Sequence, residues 1–166
     1  PVSEGEYWQY LLNHMHPLNP IRTIPNAISA HLAIQYQAMG SCLTYTTACT
    51  SSAQSIGEAL LALRHGRQDI MIAGGADSST NPSNLLSFSL LGALSTRNDE
   101  IQHASRPFDR DRDGFLLSEG AAFLILETET HCRQRGGEPL AELSGYGTAS
   151  DAYRVTDEPE DGRGAI

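Results

Sequence analysis

Cys49 is set apart by its neighbours. It lies in Thr46-Thr47-Ala48-Cys49-Thr50-Ser51-Ser52, small residues joining a β-branched, aromatic run (Leu43 to Thr47) to an apolar stretch of helical character. A side chain on such an elbow projects clear of the chain, and the N-terminus of the following helix is aimed at it. Unpaired N–H groups and the positive dipole end favour a thiolate. The same groups stabilise the oxyanion formed when sulfur attacks a thioester. The chemistry this supports is acyl transfer through a covalent thioester. A buried structural cysteine between strand and helix fits the local spacing equally well.

The elements that must position this thiol follow from periodicity and punctuation. Residues 1–25 read as a short helical piece and an irregular connection, given Pro17, Pro20 and Pro25. Asn26 to Met39 reads as a helix stopped by Gly40. Ser41 to Thr47 has strand composition. Ser51 or Ser52 is placed to cap a largely buried helix running to Arg64 and stopped by Gly66. Asp69 to Gly75 is an apolar run of the kind found in buried parallel strands. Pro82 to Leu94 reads as a helix after Asn81, and Ser95 to Phe115 as a charged loop. Ala121 to Glu127 and Leu140 to Tyr146 read as strands, with a helix from Glu129 to Arg135 between them. The alternation argues for an α/β fold built in layers.

Composition narrows the function. The 166 residues are 40% apolar and 19% charged, with 20 acidic and 11 basic side chains for a net charge of −9. That is a globular balance, and the acidity argues against nucleic-acid binding, which needs a basic footprint. No apolar run is long enough to span a membrane and no signal peptide is visible, so a cytoplasmic setting is expected. The three cysteines (Cys42, Cys49, Cys132) fit no zinc spacing and point to a reducing compartment. No metal site is expected. Asp109, Asp111, Asp113 and Gly114 mimic the start of a calcium loop, but the twelfth position is Gly120 rather than Glu, and a salt-bridged Arg/Asp loop is the better reading. Gly74-Gly75 lacks a following Lys-Ser/Thr and reads as a tight strand exit.

Longer blocks carry a family resemblance. Thr47 to Ala59 (T-A-C-T-S-S-A-Q-S-I-G-E-A) resembles the nucleophile motif of β-ketoacyl-acyl-carrier-protein synthases. Ala93 to Asp99 (A-L-S-T-R-N-D), Ala104 to Phe115, Ser118 to Glu127 and Gly145 to Tyr153 resemble the same family, in its order and spacing, over roughly residues 26–166. The nearest likeness is to elongating enzymes of fatty-acid and polyketide synthesis.

The resemblance implies a thiolase-like layered α/β fold duplicated into two halves, of which residues 1–166 are the N-terminal, cysteine-bearing half, truncated at both ends. It implies that Cys49 takes the acyl chain from carrier-protein phosphopantetheine, that Ala48 keeps the site tight, and that Phe88 lines the acyl pocket. For Phe88 a plain core role in its helix stays open. No further cofactor is implied. Gly92, Ser118, Ala122 and Arg154 depart from the family pattern, Gly92 where a basic residue is common and Arg154 where a histidine is.

The family's decarboxylating histidines come from its second half, the first of them in a His-Gly-Thr motif. None of His14, His16, His31, His65, His103 and His131 stands in one, and each is expected to be a surface, cap or packing residue. The chain alone is therefore expected to be inactive in full condensation. The implied partners are an acidic acyl carrier protein, drawn to Arg64 with Arg67 or to Arg22, and a second ketosynthase subunit in a homodimer or heterodimer. A chain that stops short should also expose apolar surface. Two other functions compete. A non-catalytic, chain-length-factor-like partner subunit would usually lack the cysteine. A hydrolase would need a placed His-Asp pair, and no G-x-S-x-G occurs.

Overall fold

The computed structural model describes residues 3–166. These divide into two compact units, one ending at Ser51 and one comprising Ser52–Ile166.

The first unit is helical. Helix α1 (Glu4–His14) starts with a capping box: Ser3 Oγ accepts from Glu6 N–H at 3.3 Å while Ser3 N–H donates to Glu6 Oε2 at 2.8 Å. The single turn α2 (Asn19–Arg22) opens on proline, and α3 (Ala27–Tyr36) follows. Helix α3 ends before the expected Gly40. Gln37 adopts φ 52° and donates to the Ala33 and Ile34 carbonyls, so a non-glycine residue makes the left-handed cap. Residues 41–47 form no strand. Their β-branched composition suits an extended chain, but a strand needs a ladder partner, and the described residues supply none.

Helix α4 (Ser51–Arg64) crosses into the second unit and buries Gly57, Ala59, Leu60 and Leu63. It ends as its sequence demands. Gly66 takes φ 66°, Gly66 N–H donates to Leu63 O, and Arg67 N–H donates to Ala62 O at 2.9 Å. Strand β1 (Ile70–Ser78) pairs with β2 (Glu119–Glu127) in one antiparallel ribbon, with Ile70 opposite Glu127 and Ser78 opposite Glu119. The apolar run had suggested a parallel strand. A continuous run reports burial on two faces and does not encode strand direction.

Gly74 and Gly75 lie inside β1, not at its exit, and both are there for close approach. A Cβ on Gly74 would sit 2.1 Å from the Ala122 carbonyl, and one on Gly75 would sit 2.1 Å from Ser52 Oγ. Ser55 Oγ also accepts from Gly74 N–H at 3.3 Å. Small residues thus let α4 lie directly on β1.

Helix α5 (Pro82–Leu90) has Asn81 as its cap, with Oδ1 accepting from Asn84 N–H at 2.9 Å. It stops short of Leu94 because Gly92 turns left-handed at φ 69° and Ala93 N–H closes back on Phe88 O. Helix α6 (Glu129–Gln134) is capped by Thr128. Residues 140–146 are not a strand; Arg64 holds them by donating to Ser144 O at 2.6 Å, and the Tyr146 ring lies over Gly57.

The core of the second unit is small: Ala59, Leu60, Leu63, Ala73, Ala104 and Cys132. Strand β2 leaves Phe123, Leu124 and Ile125 exposed, Ile125 by 63%. Among the described residues no helix is long and apolar enough to cross a membrane.

Candidate functional site

Cys49 occupies a single 3-10 turn, Ala48–Thr50, that runs without interruption into α4. The turn is tied down locally. Thr50 Oγ1 donates to Thr47 O at 2.8 Å, Ser51 Oγ donates to Ala48 O at 2.8 Å, and the same Ser51 oxygen accepts from Thr47 N–H at 2.8 Å. Ser51 is therefore the first helical residue and not the expected cap; its hydroxyl closes the preceding turn. Ala48 is left-handed at φ 51°. That conformation costs an alanine about 1–2 kcal/mol and persists only where its surroundings hold it. The sequence reading valued Ala48 for its size alone. The elbow at Cys49 is expected from the sequence; that Ala48 makes it by turning left-handed is not, and nothing in a Thr-Ala-Cys string announces it.

The Cys49 side chain is exposed, as is Cys42, whereas Cys132 is buried. Cys132 sits beside Glu127, and burial pushes its thiol above the usual range, with the Glu127 charge adding to the effect. A protonated, enclosed thiol is a poor nucleophile.

Phe88 belongs to the second unit. It is half-buried on α5, and its ring meets Phe115 edge to face, with centroids 5.4 Å apart. Phe115 is held by a short parallel bridge: its N–H donates to Ala93 O at 3.1 Å, and Ser95 N–H donates to Phe115 O at 3.0 Å. The aspartates that mimic a calcium loop are used internally. Asp113 takes Ser95 Oγ at 2.7 Å and Thr96 N–H at 3.0 Å, which hold its carboxyl below the ordinary range. Asp109 takes Asp111 N–H at 2.7 Å. Among the described residues no group of three or more His, Cys, Asp or Glu is arranged to hold a metal ion.

The histidines divide. His14 stacks on Tyr10 and bonds its carbonyl, and His16 accepts from Leu18 N–H. His131 does more than pack: its Nδ1 lies 2.7 Å from Glu127 Oε2, and Arg135 closes the other side of that carboxylate. Arg135 and His131 hold the Glu127 carboxyl down at about 2. Of the expected docking cations, Arg64, Arg67 and Arg22 are all exposed, with Arg64 partly committed to Ser144.

The family model described as "Beta-ketoacyl synthase, N-terminal domain" matches residues 3–131. The chain is 44% identical over 142 residues to 3-oxoacyl-[acyl-carrier-protein] synthase 2 of Vibrio cholerae, covering 86% of this chain and 34% of that protein. It is 41% identical over 156 residues to the mitochondrial 3-oxoacyl-[acyl-carrier-protein] synthase of Arabidopsis thaliana, covering 93% of this chain and 34% of that one. Among solved structures it is similar to a type II polyketide-synthase acyl-carrier protein in complex with its ketosynthase bound to the hexaketide. The TM-score there is 0.85 at 36% identity, covering 92% of this chain and 38% of the matched one. The chain thus spans about a third of the length of these relatives. Its α/β architecture matches the N-terminal half of the duplicated thiolase-like fold.

Proposed function

This chain belongs to the β-ketoacyl synthase family of condensing enzymes, and from that premise we propose that it supplies the acyl-accepting half of a carbon–carbon bond-forming reaction. Cys49 is the nucleophile. Its sulfur attacks the carbonyl of an acyl thioester carried on the phosphopantetheine of an acyl carrier protein, and the pantetheine thiolate leaves and takes up the thiol proton. The acyl group then rests on Cys49 until a carbanion from a decarboxylated malonyl thioester attacks it and regenerates the thiol. The observation that carries this reading is the exposed sulfur in a strained, triply tied turn at the mouth of α4.

Ala48, with no side chain beyond Cβ, keeps the approach to the carbonyl open, and Phe88 lines the acyl chain. We place residues 1–166 as one domain of a larger catalytic unit, whose remainder supplies the decarboxylating histidines. The apolar side chains left open on β2 support a covering partner element. A second ketosynthase subunit is the other partner, as in the similar solved structure described as a ketosynthase/chain length factor. Arg64 with Arg67 is the cationic pair offered to an acidic carrier protein; reversing both charges should weaken carrier binding and leave iodoacetamide alkylation of Cys49 unchanged.

Decarboxylative condensation in the intact protein tests the proposal. Cys49→Ser, and separately cerulenin treatment, should abolish β-ketoacyl product from acyl- and malonyl-carrier protein. Product formation undiminished in Cys49→Ser would refute the assignment.

A further inference from the structure

Ser51 commits its whole hydroxyl to the turn that carries Cys49. A serine Oγ has one proton to give and two lone pairs. The proton goes to Ala48 O at 2.8 Å. Thr47 N–H donates to the same oxygen at 2.8 Å, and Thr47 Oγ1 stands 3.5 Å from it. Ser51 also gives its backbone N–H to the Ala48 carbonyl. Ser51 is half-buried, whereas Cys49, between these partners in sequence, is exposed.

Two donors from one residue fix the direction of the Ala48 carbonyl. The Ala48–Cys49 peptide is planar and trans, so its N–H points opposite to its C=O. A carbonyl aimed at Ser51 therefore turns the Cys49 N–H away from Ser51. Ala48 holds this arrangement at φ 51°, a conformation alanine leaves unless its surroundings keep it there. The remaining ties of the turn, from Thr50 N–H and Thr50 Oγ1, end on Thr47 O. Among the described residues, Ser51 is the one whose side chain bonds to Ala48.

Attack on a thioester needs sulfur at the carbonyl carbon and a hydrogen-bond donor at the carbonyl oxygen, both in fixed geometry. We propose that Ser51 is a positioning residue for the acylation of Cys49: its hydroxyl sets the Ala48–Cys49 peptide so that Cys49 Sγ and Cys49 N–H meet one thioester carbonyl together. This rests on the reading above, in which Cys49 takes the acyl group. Without the hydroxyl the sulfur stays exposed, but the peptide that enters it turns, and sulfur and amide no longer converge.

The test compares two reactions of Cys49 in the intact protein. Acylation by an acyl-carrier-protein thioester needs the convergent geometry. Alkylation by iodoacetamide, at a saturated carbon with no oxyanion, needs only an accessible thiol, and is read from the Cys49 peptide because Cys42 is also exposed. Ser51→Ala should slow acylation about ten- to hundredfold, the scale of a misplaced reacting group. Alkylation should change less than about twofold, and KM for the carrier thioester should hold, since Ser51 does not touch substrate. Ser51→Thr keeps a hydroxyl at the same position and should recover most of the acylation rate. Should Ser51→Ala fail to fold, the Ala48→Gly, Ser51→Ala double variant removes the strain but leaves the peptide unheld, and should show the same split. Acylation at the wild-type rate in the variant lacking the hydroxyl, or acylation and alkylation falling in equal proportion, overturns the positioning role while the function stands. So does a Ser51→Thr protein as slow as Ser51→Ala. A wild-type protein that takes no acyl group on Cys49 overturns the function itself.

Discussion

Ser51 reaches back across the cysteine turn to Ala48, its Oγ 2.8 Å from the Ala48 carbonyl oxygen. That bond, with the one the same hydroxyl accepts from Thr47 N–H, holds Ala48 in a left-handed conformation that alanine does not choose by itself. The bend beneath the nucleophile is thus maintained by the residue that begins the next helix.

Ala48 and Ser51 therefore both respond to substitution, each by its part in the bend. Ala48→Gly relieves the φ strain and should change stability by less than about 1 kcal/mol, since glycine also loses more entropy on folding. Ala48→Val puts a β-branched residue at positive φ and should cost more than about 2 kcal/mol. Ser51→Ala should cost about 1 kcal/mol for two lost hydrogen bonds. Urea midpoints at constant m-value check all three.

Gly57 is held against the ring of Tyr146. A Cβ there would lie 2.1 Å from Tyr146 Cδ2 and 2.3 Å from its Cγ, too near the ring's root for a small rotation to relieve. Gly57→Ala should destabilise by about 1–3 kcal/mol despite alanine's better helix propensity. Adding Tyr146→Ala should recover part of that loss, a non-additivity that a double-mutant cycle reads directly.

The glycine pair in β1 should split by partner. Gly75→Ala meets the hydroxyl of Ser52, which can rotate away, whereas Gly74→Ala meets the Ala122 carbonyl, which belongs to the ladder. Gly74→Ala should therefore lower the thermal midpoint more than Gly75→Ala does. Equal losses would contradict the assignment of the two contacts.

Much of this was legible beforehand, and the failures have a common cause. Helices α4, α5 and α6 begin at or within a residue or so of where the sequence places them, because such signals are local: Asn81 at the start of α5 and Gly66 at the end of α4 act on backbone groups a few residues away. The stretches 41–47 and 140–146 were read as strands from composition, yet a strand is a relation between two segments, and residue type cannot supply the second one. The bonding of Asp113 is hidden for a related reason. Asp-Arg-Asp-Gly looks like a charged surface loop until Ser95 and Thr96, 18 and 17 residues earlier, are brought to it.

Acid should act on the Glu127 cluster. Its folded carboxyl titrates near 2 against an ordinary 4.5, chiefly because Arg135 and then His131 hydrogen-bond to the charged form. A depressed folded value means the contribution to stability is complete above pH 4.5 and is lost as the pH falls from there toward 2. Glu127→Gln should flatten that part of the stability-against-pH curve, apart from a share belonging to Asp113, whose carboxyl is also depressed. An unchanged slope between wild type and Glu127→Gln would contradict the cluster's role.

The thiols should separate by accessibility. Cys42 and Cys49 are exposed and Cys132 is buried, with its thiol pushed up by that burial. Limiting iodoacetamide on the native protein should label Cys42 and Cys49 well before Cys132, and denaturant should abolish the difference. Labelling of Cys132 first would show that α6 opens readily.

The most direct measurement of the whole account is the mass of the peptide containing Cys49 after brief incubation of the intact protein with an acyl-carrier-protein thioester, quenched in acid to preserve thioesters. The account predicts a gain equal to one acyl group on Cys49, removed by hydroxylamine and missing from Cys49→Ala. An unmodified Cys49 peptide, or an acyl group found on Cys42 or Cys132 instead, would contradict it.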